Sequence, residues 1–241
     1  PVTILFTPDE EVGTPSTRGL IEAEAERNKY VLVPEPAHSD GGATIGRYAI
    51  ARFNLHTVGR PSHAGARLGD GKSAIAHMAR KVLEIEAMSG PDCTFSIGVI
   101  HAGQWVNCVS SHCDAEALTM AKTQKDLDDG IARIMALQGD ENGVEFHITR
   151  GVTRPVWEPN QPGTMALFDI AKDICDELGF DLIGRSQGGG SDGNFTGYLG
   201  IPTLDSLGVR GEGLHTLTEH IEVSSLVERA KLMSALIMRL E

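Results

Sequence analysis

The stretch "RYAIARFNLHTVG", residues 47–59, alternates apolar and polar side chains with the period of a half-exposed β-strand. Apolar residues at helical spacing follow in "SAIAHMARKVLEIEAM" (73–88). Next come two strand-like runs, "CTFSIGVIHA" (93–102) and "SSHCDAEALTMAK" (110–122), a helix in "LDDGIARIMALQ" (127–138) and a last strand in "GVEFHITR" (143–150). The order is βαββαβ, a split βαβ unit that closes its own sheet. Residues 47–153 are therefore expected to be an inserted domain, with residues 1–46 and 154–241 forming the domain that it interrupts.

Working outward, "PVTILF" (1–6) and "KYVLVPEPA" (29–37) are short apolar runs rich in β-branched residues, and "STRGLIEAEAERN" (16–28) between them reads as a helix capped by Ser16 or Thr17. Strand, helix, strand predicts a parallel pair buried on both faces. Ligands of such sheets sit beyond the carboxyl ends of the strands, where Asp9, Glu10, Glu11 and Glu35 fall. After the insertion, "GTMALFDIAKDICDELG" (163–179) is a helix and "IPTLDSLG" (201–208) a short strand. The Gly-rich loop "GVRGEGLHT" (208–216) carries His215, and "SSLVERAKLMSALIMRL" (224–240) closes the chain as an amphipathic helix.

The 241 residues hold 33 acidic and 21 basic side chains, a net charge of -12. No Lys/Arg cluster supplies a phosphate footprint, which argues against nucleic acid and anionic membrane as partners. No apolar stretch approaches the ~20 residues that span a bilayer. The four cysteines, Cys93, Cys108, Cys113 and Cys175, form no CxxC pair and read as reduced, mostly buried thiols.

Three adjacent carboxylates at a strand end repel one another and call for a cation. Carboxylate and imidazole suit zinc and similar ions, and a neighbouring carboxylate not spent on the metal takes a proton from metal-bound water. On that logic one glutamate of "DEE" is a ligand, the next is the base, and His215 is a third donor. The bland alternative is a solvated acidic turn and a surface histidine. "GRPSHAG" (59–65) places His63 on a rigid, turn-rich loop. "GGSDG" (189–193) formally matches the G-x-S-x-G elbow of serine hydrolases, with Ser191, Asp205 and His215 in the α/β-hydrolase order. The nearest strand candidate, "FDLIG" (180–184), is separated from Ser191 by "RSQGGG", so this reading ranks below the metal one. His38, His56, His77, His101, His112, His147 and His220 read as core or surface residues.

Together "TPDEEVG", "VLVPEPA", "GRPSHAG", "GQWVNCV", "GGGSDGN" and "GEGLHT", in this order, resemble the dizinc exopeptidases and deacylases, the family of glutamate carboxypeptidase, acetylornithine deacetylase, succinyl-diaminopimelate desuccinylase and aminoacylase. The resemblance implies an α/β/α catalytic domain with an inserted ferredoxin-like lid or dimerisation domain. It implies a homodimer, joined through the insertion, that cleaves a small peptide or an N-acyl amino acid; the expected compartment is the cytoplasm. Two zinc ions, with cobalt or manganese as substitutes, would be held by Glu11, Glu35 and His215. Glu10 would be general base and His63 would steady the oxyanion of the neighbouring subunit. Asn107 and Arg154 would grip a substrate carboxylate, and Gly189 and Gly190 would let backbone approach it. The family pattern also uses a histidine and a bridging aspartate from earlier strands. The sequence is accordingly expected to be the C-terminal part of a longer protein, any leader lying before Pro1, and to bind zinc poorly and be inactive alone. The strand "DAEALTMAK" lacks an arginine frequent in the family, which leaves the substrate class open. A dimerising module without catalysis is the alternative of a different class.

Overall fold

The computed structural model describes residues 1–240 and divides into two compact units, one of residues 1–48 with 154–240 and one of residues 49–153.

The inserted unit carries a five-stranded sheet in the order Cys93–Ala102, His112–Ala121, Ala49–Val58, Val144–Arg154, Gly139–Glu141. Apart from the short last strand, this is the split βαβ order that the periodicity predicts. The central ladder runs antiparallel without a break from Ala49 opposite Ala121 to Val58 opposite His112. Burial alternates along His112–Ala121, most of Ala49–Val58 and the first halves of Cys93–Ala102 and Val144–Arg154, with Phe53, Leu55, Phe95, Ala115, Ala117, Phe146 and Ile148 on the inner face. Helices Ala74–Glu86 and Gln124–Met135 cover that face with Met78, Ile85, Leu127 and Ile134. The first helix starts where its sequence predicts, and the second starts three residues before the expected Leu127. Ser73 Oγ accepts from the Ala76 amide at 3.1 Å and Thr123 Oγ1 from the Asp126 amide at 3.1 Å, each satisfying a donor that the first helical turn leaves free. Gly130 allows the second helix to lie close, since a Cβ there would stand 2.6 Å from Cys93 Sγ.

The flanking unit is built from shorter pieces. Val31–Leu32 pairs in parallel with Thr203–Leu204, and Ala43–Arg47 in parallel with Gly184–Gln187. Helices Pro162–Leu178 and Ser225–Arg239 pack their apolar faces on these strands, joining Ala43, Ile45, Leu167, Phe168, Ile174, Leu204, Leu232 and Leu236 in one core. Pro162 starts its helix with a preset φ, and Gly179 at φ 84° ends it in the left-handed region.

Three expectations are corrected here. "PVTILF" is not a strand: no segment among the described residues pairs with it, and Val2, Ile4 and Phe6 are 61%, 73% and 89% exposed. The parallel partner of the "VLV" strand is Thr203–Leu204, so apolar character alone chose the wrong neighbour. The strand expected at "FDLIG" lies a few residues later, at Gly184–Gln187, and its partner Ala43–Arg47 gave no alternating signal because it is buried on both faces.

Candidate active site

"DEEVGT" is a tight turn. The Gly13 amide donates to the Glu10 carbonyl and the Thr14 amide to the Asp9 carbonyl, both at 2.8 Å, with Gly13 and Thr14 at positive φ. The turn sends its three carboxylates to three different environments, which is how they coexist. Asp9 accepts from the Ser16 amide and hydroxyl, both at 2.7 Å, and from the amide and hydroxyl of Thr17. The hydroxyls of Thr17 and Ser16, then the two amides, hold its pKa down at about 2. Ser16 and Thr17 thus serve Asp9 instead of capping the Arg18–Ala25 helix, as had been expected of one of them.

Glu10 turns inward to Arg154. Arg154 Nη2 donates to Glu10 Oε1 at 2.6 Å, to the Glu10 carbonyl at 3.0 Å and to Thr14 Oγ1 at 3.0 Å, and lies 3.7 Å from Asp192 Oδ1. Asp192 is fixed by the Thr14 hydroxyl at 2.6 Å and the Thr7 hydroxyl at 3.1 Å. Burial raises the Glu10 pKa; Arg154 opposes that, while Asp192 and Glu11 add to it. Arg154, expected to grip substrate, is instead buried against the chain's own Glu10, because this is the carboxylate within reach of its guanidinium.

Glu35, after the Val31–Leu32 strand, is half-buried, and its carboxyl is pushed up to about 7. Desolvation is the first cause, followed by the negative charges of Asp205 and Glu10; Arg47 pulls the other way. Behind it, Arg47 Nε meets Asp205 Oδ2 at 2.7 Å with both groups buried, and Arg47 Nη1 donates to the Gly189 carbonyl at 3.2 Å. The "GGGSDGN" loop is thereby tied from below. Asn194 completes the tie, accepting from the Ser191 amide at 3.0 Å and donating to the carbonyls of Tyr48 and Pro155 at 3.1 and 2.8 Å. Ser191 is 1% exposed, its hydroxyl donating to Asp205 and accepting from the Gly193 amide. A hydroxyl so enclosed is a structural hydrogen-bonding group, and the serine-hydrolase reading is withdrawn on that geometry.

Glu11 and His215 do meet: His215 Nδ1 is 3.8 Å from Glu11 Oε2, both side chains 79% exposed. His215 sits at φ 62°, its amide donating to Glu219 Oε2 at 3.2 Å. Carboxylate and imidazole are suitable donors for a divalent cation, and the excess negative charge around Glu35 is of the sign a cation relieves. Among the described residues, however, no three such donors converge on one point.

In the inserted unit, Ser62–His63 pairs with Cys108–Val109, and the Ala64 amide donates to the Asn107 carbonyl at 2.9 Å. His63 and Asn107 are thus neighbours on one exposed edge. His63 Nδ1 accepts from the amides of Gly65 and Ala66 at 3.2 and 3.1 Å, which leaves Nε2 as the protonated, outward nitrogen of the neutral ring.

Residues 1–239 match the family described as Peptidase family M20/M25/M40. The chain belongs to that family. It is 29% identical over 248 residues to carboxypeptidase G2 of Pseudomonas sp. (strain RS-16), covering 99% of this chain and 59% of the relative. Acetylornithine deacetylase of Myxococcus xanthus matches at 28% over 123 residues, 47% of this chain and 32% of the relative. Among solved structures, aminopeptidase PepT from Bacillus cereus ATCC 10987 superposes with a TM-score of 0.74 at 26% identity, covering 96% of this chain and 62% of that one. The chain therefore spans about three fifths of the length of carboxypeptidase G2 and of PepT. Peptidases of this family are generally metal-dependent.

Three residues of the site, Arg47, Thr14 and Asp192, were missed as its parts, and Asp205 was named only for the serine-hydrolase alternative. Two carried a signal, an arginine ending the buried "ATIGR" run and an aspartate following the apolar "IPTL".

Proposed function

We propose that this chain supplies the glutamate base and part of the metal-ligand set of a hydrolase that cleaves the amide bond of a C-terminal amino acid, in the manner of a glutamate carboxypeptidase, or of an N-acyl amino acid. The observation that carries the reading is Glu10, a carboxyl whose proton affinity is raised by burial, clamped by Arg154 next to the Glu11–His215 pair. Divalent cations, two zinc ions in the assignment, would be held by Glu11 with His215 and by Glu35, and would supply Lewis acidity and an acidified water. Glu10 would accept a proton from the attacking water and pass it to the leaving amine, a task that suits a carboxyl with a raised pKa. Arg154 fixes the Glu10 rotamer, so its role is positioning. The Gly189–Gly190 backbone, anchored by Arg47, lines the substrate. In a homodimer formed through the inserted unit, His63 Nε2–H serves the oxyanion in the second copy and Asn107 binds the substrate carboxylate there.

The test is hydrolysis of an N-acyl glutamate by the natural protein, with and without chelator, beside Glu10→Gln. Chelator-sensitive release of glutamate that falls by about 10²–10⁴ in the variant is expected for a lost general base. A second reading, a non-catalytic dimerising module, draws on the absence of three convergent donors among the described residues. No hydrolysis in either condition, with an intact dimer, would decide for the module.

A further inference from the structure

Arg154, the arginine expected to hold a substrate carboxylate, is spent on Glu10, and Arg47 behind Glu35 is spent on Asp205. Another arginine of the flanking unit is differently placed. Arg185 lies on a cavity of about 640 Å³ lined by the His38–Asp40 turn and the Gly184–Gln187 strand, and every side chain on that lining is polar. Burial lowers the His38 pKa, so Arg185 carries the lasting positive charge there.

Thr44 ties the turn to the strand. Its hydroxyl meets His38 Nε2 at 3.0 Å, and Gln187 Nε2 donates to it at 3.5 Å. The same hydroxyl meets Ser206 Oγ at 2.9 Å, one residue from Asp205. The lining is thereby joined to the candidate site: His38 and Glu35 are three positions apart, and both feel the charges of Asp205 and Arg47. Gln187 stands opposite Arg47 in the strand register, and two residues on is Gly189, whose carbonyl accepts from Arg47.

The guanidinium of Arg185 is held in place and half used. Its Nε donates to Asp40 Oδ2 at 3.0 Å and its Nη2 donates to the same oxygen, while Asp40 Oδ1 accepts from the Gly42 amide at 3.0 Å. Gly42 leaves room for the pair, since a Cβ there would stand 3.0 Å from Asp40 Oδ1 and 3.5 Å from Arg185 Nε. Asp40 thus takes the side edge of the planar group. The end edge, made by Nη1 and the second hydrogen of Nη2, has no partner among the described residues. That edge presents two parallel N–H groups, the fork that binds a carboxylate through both oxygens.

We infer that Arg185, positioned by Asp40, binds a second carboxylate of the substrate, beyond the α-carboxylate of the amino acid, and so selects N-acyl amino acids that are dicarboxylic. The second carboxylate belongs to an acidic side chain or to the acyl group, and both offer the same recognition chemistry. Taking the ligand to be the substrate rests on the hydrolase reading.

The test is calorimetric titration of the chain, in chelator so that no metal ion takes a carboxylate, with two matched pairs of ligands. N-acetylglutamate against N-acetylglutamine places the extra charge on the side chain; N-succinylalanine against N-acetylalanine places it on the acyl group. At least one of the two acids should bind about tenfold or more tightly than its match, the scale of a hydrogen bond to a charged group, and that acid identifies the source. Arg185→Gln should bring the preference to within twofold, and Arg185→Lys should keep part of it. Asp40→Asn with Arg185→Gln, which removes the pair without changing net charge, should show the same loss. Arg239→Gln, at an exposed ion pair on the last helix, should leave the preference unchanged. Circular dichroism checks each fold. Hydrolysis of the same ligands, with Zn2+ added, separates the two readings: Arg185-dependent binding without hydrolysis keeps this site and removes the hydrolase, and hydrolysis without preference for either acid does the reverse. No preference for either acid, or a preference that survives Arg185→Gln in a folded chain, overturns the assignment.

Discussion

The two units of this chain solve the burial problem differently. The inserted unit has four strands of ten or eleven residues, in one sheet closed by its own two helices. The flanking unit has strands of two to five residues joined in pairs, and leaves an apolar run, residues 1–6, exposed. In the insertion the strands are long enough for their periodicity to show, and two of the ladders, Cys93–Ala102 with His112–Ala121 and Gly139–Glu141 with Val144–Phe146, join segments near in sequence. Parallel pairs in the flanking unit join residues about 140 to 170 positions apart, as with Ala43 and Gly184 or Val31 and Thr203. Self-sufficiency and legibility therefore go together, and the candidate base Glu10 and the candidate metal ligands lie in the less legible unit.

The sharpest way to break that comparison is a pair of phenylalanines. Phe53 is 1% exposed at the centre of the inserted sheet, and Phe6 is 89% exposed. Phe53→Ala should cost about 3–5 kcal/mol in urea unfolding, the transfer and cavity cost of a buried ring. Phe6→Ala should change stability by less than about 0.5 kcal/mol. A cost above about 1 kcal/mol for Phe6→Ala would mean that the opening run is covered in solution, and the contrast between the units would fall.

Next in size is the ion pair under the glycine loop. Asp205→Asn leaves Arg47 buried beside a neutral group and should cost about 3 kcal/mol, because the charge that remains has lost its partner. If the loss is instead close to zero, Arg47 reaches water and the loop is not anchored as described. Replacing both, Arg47→Met with Asp205→Leu, should recover part of the loss, since an apolar pair carries no desolvation cost.

The same distinction explains what was legible in the site. Glu10, Glu11, Glu35 and His215 could be picked out because acidic runs and loop histidines stand out after apolar segments. The pairing of Glu10 with Arg154 could not, since the two are 144 positions apart and only the closed fold makes them partners. Ser191 matched a nucleophile motif by letter while its burial against Asp205 gave it a structural task. In the insertion, the helix and strand positions were read to within a few residues, but the β-bulge between Ile97 and Val99, which brings His101 opposite Asp114, has no periodic signature. Motifs report which residue types are present; partners depend on packing.

The smallest effect concerns two carboxyls, Asp9 and Glu35, whose shifts differ in sign. Asp9, held at about 2 by four donors, stabilises the fold above the unfolded carboxyl value of 3.8, and that contribution is lost as pH falls through about 2. Glu35, raised to about 7 chiefly by burial, does the reverse: above the unfolded value of 4.5 the folded state holds a proton that the unfolded state has released. The penalty grows as pH rises from 4.5 to about 7 and stays constant beyond. With chelator present, Glu35→Gln should therefore be more stable than the parent at pH 8 by about 1 kcal/mol, a value discounted for the solvent screening of a partly exposed group. The two should be nearly equal at pH 5. Asp9→Asn should instead remove the loss of stability between pH 4 and pH 2 and leave the alkaline side unchanged. If Glu35→Gln showed no gain at pH 8 in urea unfolding, the crowd of negative charge around Glu35 would already be neutralised, and the electrostatic case for a cation there would go with it.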